Sequence, residues 1–157
     1  MKRPAFGPVA SRHGSARTVE AVTDFNEQVI DQYRANDGEI TDGPLAGVPL
    51  LLLTHKGART GRVRTTPLGY YDDDGTPVVF ASGMGAPKDP QWVHNLREFP
   101  GVAVELGAHA FSAVARIVEG AERDALWLRL IADKPFLVEH QSKAAPRQIP
   151  LIRLEQE

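Results

Sequence analysis

The chain has 157 residues, 42 % of them hydrophobic and 24 % charged, with a formal net charge of -2 and no cysteine. That length closes the core of one domain, and the missing cysteines exclude disulfides, thiolate nucleophiles and iron–sulfur clusters. The slight acidity, pI about 6.2, argues against nucleic-acid binding, and no apolar run is long enough to span a bilayer.

The basic start, Met1-Lys2-Arg3-Pro4, leads into no apolar signal core, so a cytoplasmic protein is expected. Residues 1–16, with Pro4, Gly7, Pro8 and Gly14, read as a mobile tail ahead of a single domain over 17–157. A helix is predicted over 18–33, because Val22, Phe25, Val29, Ile30 and Tyr33 share one stripe at helical spacing. Asn36-Asp37-Gly38 stops it. The stripe is expected to pack on the core. Glu20, Asp24, Glu27 and Asp31 on the opposite face would be repelled by an anionic membrane, so peripheral membrane contact is the lesser alternative.

A Gly/Pro/Asp-rich loop over 39–47 precedes a nearly all-apolar strand over 48–54, expected to be buried on both faces. Then comes Gly57-Ala58-Arg59-Thr60-Gly61-Arg62-Val63-Arg64-Thr65-Thr66-Pro67, a glycine-bracketed turn that crowds three arginines beside Lys56. Guanidinium groups, turn amides and threonine hydroxyls together make a cradle for a phosphate or carboxylate. The bland alternative is a solvated basic hairpin. The turn is neither a Walker loop nor a dinucleotide fingerprint.

A second strand is predicted over 66–72, and Asp72-Asp73-Asp74-Gly75 reads as a tight turn rather than a calcium loop. A third strand over 77–82 breaks at Gly83-Met84-Gly85-Ala86-Pro87, where a planar ligand can approach the backbone. Asp89 is expected to cap a short helix over 90–97, with Pro90 in its first turn. Strands over 102–106 and 110–118 join at Gly107, and a helix over 121–132 follows. Residues 133–146 read as irregular, and a strand over 149–154 closes the chain. Strands joined by hairpin-length turns favour an antiparallel sheet curled into a barrel with helices around it. The histidines, His13, His55, His94, His109 and His140, show no metal-ligand spacing. No nucleophile elbow appears, so the chemistry is expected to come from a cofactor.

The run from Thr54 through Leu68, with Ala81-Ser82-Gly83, Pro90-Gln91-Trp92-Val93-His94-Asn95-Leu96, Gln141-Ser142-Lys143 and Arg147-Gln148-Ile149-Pro150, resembles the deazaflavin-dependent nitroreductase family over about residues 37–154. The resemblance implies an α+β, mainly β fold, an antiparallel split β-barrel of the FMN-binding kind with flanking helices. It implies coenzyme F-420 as cofactor, and hydride transfer to a quinone, nitro-aromatic or activated enone. By position, Ala58, Arg59, Thr60 and Arg64 would hold the phosphate and tail. Thr65, Thr66, Pro67 and Leu68 would line the ring edge, and Phe80, Ala81, Ser82 and Gly83 would face the ring. Gln91, Trp92, Val93, His94 and Asn95 would close the phosphate side. No catalytic residue is certain. Ser82, as a hydrogen-bond donor to the ring, and His140, as a wall of the acceptor pocket or a proton donor, are the candidates. Two departures stand out: the lysine often found beside residues 83–84 is absent, and His140 replaces a tyrosine, with Phe136 available for the same wall. An FMN-dependent oxidoreductase and a non-catalytic deazaflavin carrier are the alternatives. Expected partners are a small electron acceptor and, beyond a monomer, at most a second copy of the chain.

Overall fold

The computed structural model describes the backbone of residues 14–157 and the side chains from residue 24 onward. Most of the expected tail therefore lies outside the described residues. Helix α1 spans Gly14–Ala35, opening earlier than its apolar stripe required. Val29, Ile30 and Tyr33 of that stripe are buried, Phe25 is 38 % exposed at its edge, and Val22 lies outside the described side chains.

Six antiparallel strands follow: β1 (Leu50–Lys56), β2 (Val63–Asp73), β3 (Thr76–Phe80), β4 (Gly101–Leu106), β5 (His109–Ile117) and β6 (Leu151–Gln156). They close into a barrel in the order β1-β2-β3-β6-β5-β4. The split-barrel expectation and the helix-flanked antiparallel sheet are both met. Closure gives every strand of the barrel a neighbour on each side. The β2–β3 turn forms as expected, with the Gly75 amide donating to Asp72 Oδ1 at 2.9 Å.

Alternation decides where each side chain goes. Leu51 and Leu53 of β1 point into the barrel, with Val79, Val104, Ile152 and Leu154. Leu50 and Leu52 point outward, onto Val29, Ile30 and Tyr33 of α1. The two-sided burial expected of this strand thus has two separate causes. A third cluster lies outside the barrel, where Val78 and Leu151 meet Leu126 and Leu130 of α3 (Gly120–Asp133) and Leu137 of α4 (Phe136–Ala144).

Helix α4 overturns the irregular reading of residues 133–146. Its buried face carries only Leu137 and Ala144, separated by Gln141, whose amide serves two loop groups: it donates to the Arg147 carbonyl at 2.7 Å and accepts from the Ile149 amide at 2.8 Å. A polar residue in an otherwise helical stripe hid the period. Asp89 is also corrected. Pro90 is the N-cap residue of α2 (Gln91–Glu98), and no side chain caps it. The Asp89 carboxylate instead binds Arg147 at 2.8 Å and reaches Arg97 at 3.5 Å.

One hydroxyl ties α1 to the barrel. Tyr33 is 1 % exposed. Its oxygen accepts the Gly107 amide at 2.8 Å and lies 3.0 and 3.1 Å from the carbonyls of Leu50 and Glu105. Burial is the main reason its hydroxyl titrates above the ordinary range. Tyr33→Phe strands the Gly107 amide, and urea unfolding should show a loss of about 2 kcal/mol. An unchanged midpoint would mean that water replaces the bond.

Candidate functional site

The β1–β2 connection and α2 enclose a cleft of about 620 Å³ at one mouth of the barrel, lined by His55, Gly57, Arg59, Thr60, Arg64, Thr66, Gln91, Trp92 and Asn95. The turn is built as its glycines suggested. Gly61 sits at φ +73, and a Cβ on Gly57 would stand 2.9 Å from Thr60 Oγ1 and 3.3 Å from the Arg62 carbonyl. Backbone bonds from Gly57 to Arg62 and from Gly61 to Gly57 close it. The first residue of α2 borders the cleft, so that helix presents its free amides and positive dipole end there.

Charge in the cleft has one sign, since Arg59 and Arg64 line it and no carboxylate does. Six other arginines, at 34, 97, 116, 129, 147 and 153, are ion-paired. Arg59 and Arg64 have no carboxylate partner among the described residues. Their donors are therefore available to an anion.

Behind the arginines runs a directed chain of hydrogen bonds. The Ala58 amide donates to Asn95 Oδ1 at 2.9 Å. Asn95 Nδ2 lies 3.1 Å from His55 Nδ1, and His55 Nε2 lies 2.9 Å from Thr66 Oγ1. Asn95 and His55 are 2 % and 4 % exposed. Burial, with a smaller effect from the Arg64 guanidinium, lowers the His55 pKa to about 4, so the ring is neutral at pH 7.

Of the residues assigned to the cofactor by resemblance, the structure gathers Arg59, Thr60, Arg64, Thr66, Gln91, Trp92 and Asn95 in this cleft. Ala58 borders it through its amide. Two assignments face elsewhere. Val93 is fully buried in the core, and Leu68 packs against the barrel interior. His94 is exposed on α2 and is absent from the cleft lining. The histidine in the cleft is His55, which alternation could have revealed as the continuation of Leu51 and Leu53. Thr65 takes the opposite face and meets Thr54 at 2.9 Å.

The outer face of β2 and β3 forms a second surface. Phe80 stacks edge-on against Phe136 at 6.5 Å, and Phe136 against His140 at 5.3 Å. His140 Nδ1 is buried with no hydrogen-bond partner among the described residues. Next to them, residues 83–85 form a single 3-10 turn, with Met84 at φ 57 and 76 % exposed. Arg147 had no role assigned from sequence, yet it secures this turn. Its guanidinium donates to the carbonyls of Ala81, Ser82 and Ala86 at 2.8–3.0 Å and to Asp89 at 2.8 Å. Ala81 and Ser82 are thereby buried and held from behind, while Gly83 stays exposed. Among the described residues no group of three or more His, Asp or Glu gathers to hold a metal, and no helix is long and apolar enough to cross a membrane.

The neutral state of His55 has a stability consequence. Its folded pKa lies below its unfolded value of about 6.5, so the unfolded chain binds the extra proton as pH falls from about 6.5 to 4. The contribution is complete above pH 6.5 and is lost towards pH 4. Denaturant unfolding at pH 7 and pH 4.5 should differ by roughly 2–3 kcal/mol more in the wild type than in His55→Asn. Equal pH dependence would show that the ring protonates freely in the folded state.

A family model described as F420H(2)-dependent quinone reductase matches residues 26–156. An F420H(2)-dependent quinone reductase of Mycobacterium tuberculosis is 32 % identical over 124 residues, which is 78 % of this chain and 83 % of that one. A solved F420-H2 dependent reductase is 34 % identical with a TM-score of 0.62, covering 68 % of this chain and 94 % of its own. A structure described as a domain-swapped dimer is 30 % identical with a TM-score of 0.64, covering 88 % and 99 %. The chain therefore belongs to the F420H(2)-dependent quinone reductase family and is an oxidoreductase that works with coenzyme F-420.

Proposed function

We propose that this protein reduces a quinone with hydride from reduced coenzyme F-420, holding the coenzyme's anionic arm in the cleft at the barrel mouth. The observation that carries this reading is the pair Arg59 and Arg64, which line a cleft without a carboxylate. Two guanidinium groups, the Thr60 and Thr66 hydroxyls and the Gln91 amide suit a phosphate followed by carboxylates. FMN, with one phosphate, would use fewer of them.

Leu68 and Val93 serve the core in this reading, and His94 faces solvent. Thr65, Pro67 and Phe80, on the outer face of β2 and β3, and Gly83, in the turn that follows, would edge the planar part of the coenzyme. When bound, the reduced coenzyme supplies the hydride. The chain's own residues orient, exclude water and supply charge. The Arg147 clamp keeps the 83–85 turn in one shape, so the wall beside the ring is formed before anything binds.

The Phe80, Phe136 and His140 rings offer an apolar, aromatic surface to an electron-poor acceptor. A quinone needs one hydride and one proton to become a hydroquinone. We assign His140 as the candidate proton donor or acceptor-pocket wall, with Ser82 as a hydrogen-bond donor at the ring edge. Nitro-aromatics and activated enones share the electron-poor face and are proposed as further acceptors. The family match favours a quinone, and the similar domain-swapped dimer supports a homodimer here. We also read residues 17–157 as one domain in the cytoplasm, with the tail ahead of it.

Fluorescence titration with F-420 should show saturable binding. Arg64→Ala should weaken it about ten- to a hundredfold, as expected for a lost hydrogen bond to a charged group, with little change in stability. Unchanged affinity in the folded variant would remove the arm from this cleft, and tight FMN binding without F-420 binding would replace the cofactor. Stopped-flow mixing of the protein carrying reduced F-420 with menadione should show acceptor-dependent oxidation, with a nitro-aromatic as the comparison. No oxidation across a panel of acceptors would make the protein a carrier.

A further inference from the structure

We propose that His55 is a positioning residue: held as its Nε2–H tautomer by Asn95, it donates to the Thr66 oxygen and so aims the Thr66 hydroxyl proton at an acceptor oxygen of the bound coenzyme. The proposal rests on the F-420 reading for the identity of the ligand and on the hydrogen-bond chain for the direction of the donor.

The direction follows from one group that cannot reverse. A backbone N–H only donates, so the atom of Asn95 facing the Ala58 amide at 2.9 Å is its carbonyl oxygen. The Asn95 NH₂ therefore faces His55 Nδ1 at 3.1 Å. An NH₂ group only donates, so Nδ1 must carry a lone pair. In a neutral imidazole the proton is then on Nε2. The neutral form is the one that burial imposes on this ring. Nε2–H points at Thr66 Oγ1, 2.9 Å away, and occupies it as an acceptor. The hydroxyl proton of Thr66 has no other partner among the described residues, and Thr66 lines the cleft. That proton is left for whatever the cleft binds.

This arrangement selects by chemistry. A group at Thr66 that accepts a hydrogen bond, as a phosphate, carboxylate or ring carbonyl oxygen does, takes the free hydroxyl proton. A donor placed there would have to share the oxygen with His55 and would leave the hydroxyl proton without an acceptor. Protonating His55 would set two donors against each other at Asn95, and restoring the contact by flipping Asn95 would strand the Ala58 amide. The lock is thus held from both ends. The charged groups lining the same cleft are Arg59 and Arg64, both cations, and Arg64 opposes protonation as well.

Two measurements test this independently. Long-range ¹H–¹⁵N correlation spectra of the ligand-free protein at neutral pH should show His55 with an unprotonated Nδ1 and a protonated Nε2. An Nδ1–H tautomer or a doubly protonated ring overturns the proposal. The second is a mutant cycle read by F-420 titration. Thr66→Val should weaken binding about tenfold, the worth of one hydrogen bond, while Thr66→Ser stays close to wild type. His55→Asn keeps an acceptor for Asn95 but does not reach Thr66. In that background Thr66→Val should cost less than about threefold, because the hydroxyl is no longer aimed. Equal costs in both backgrounds would overturn the coupling. Should His55→Asn fail to fold, the tautomer of the wild type still decides. An Nε2–H tautomer in a wild type that binds no F-420 would overturn the coenzyme reading while supporting the lock for a different acceptor-bearing ligand.

Discussion

Burial of β1 on both faces is the constraint on which the rest of this structure depends. Four consecutive leucines alternate between the barrel interior and the face that receives α1, and each contributes on the order of 1.5–3 kcal/mol by leaving water. A slip of one residue would exchange the two sets and mismatch both. The strand is therefore pinned in register against β2, with His55 opposite Arg64 and Lys56 opposite Val63. Carrying the interior row two residues beyond Leu53 brings His55 to the barrel mouth. The same pairing brings Arg64 and Thr66 there from β2. The cleft is thus a consequence of how the core is packed, expressed where the leucines end.

Electrostatics divides the basic residues by role. Arg116, Arg129 and Arg153 engage Asp73, Glu122 and Glu155 on the outer surface of the barrel. Arg116 holds the Glu122 carboxylate at a pKa of about 2, yet exposed pairs of this kind add little to stability. Arg147 spends its donors on three carbonyls and a carboxylate, which makes it a structural clamp. Arg59 and Arg64 stand apart from these pairings at the cleft. A chain with a small negative net charge thereby keeps a local positive field at one mouth of its barrel, where an anionic coenzyme arm benefits from it.

The strands and their order of appearance were legible from periodicity and turn residues, and so was the basic hairpin. The separate family motifs also located most of the cleft. Their reach ended where a side chain's direction depended on a partner distant in sequence. Asp89 has the residue type and position of a helix cap, yet a guanidinium 58 residues away takes its carboxylate. Trp92, Val93 and His94 are neighbours in sequence, but the helix turns them toward the cleft, the core and solvent respectively. Helix α4 escaped notice because its inward Gln141 bonds to the loop that follows it, so hydrophobicity alone could not show the period.

By itself the sequence determined that strands outnumber helices, that glycines bend a basic turn, and that this turn carries more cations than anions. Those properties reside in single residues and their near neighbours, where alternation, propensity and charge act locally. Only the tertiary structure decided that His55 lines the cleft and His94 does not, that Arg147 rather than a helix cap holds Asp89, and that the Ala58 amide, Asn95, His55 and Thr66 form one directed chain. Such a chain has no sequence signature, because its direction comes from a backbone donor meeting a side chain 37 residues away, and that meeting exists only once the barrel is closed.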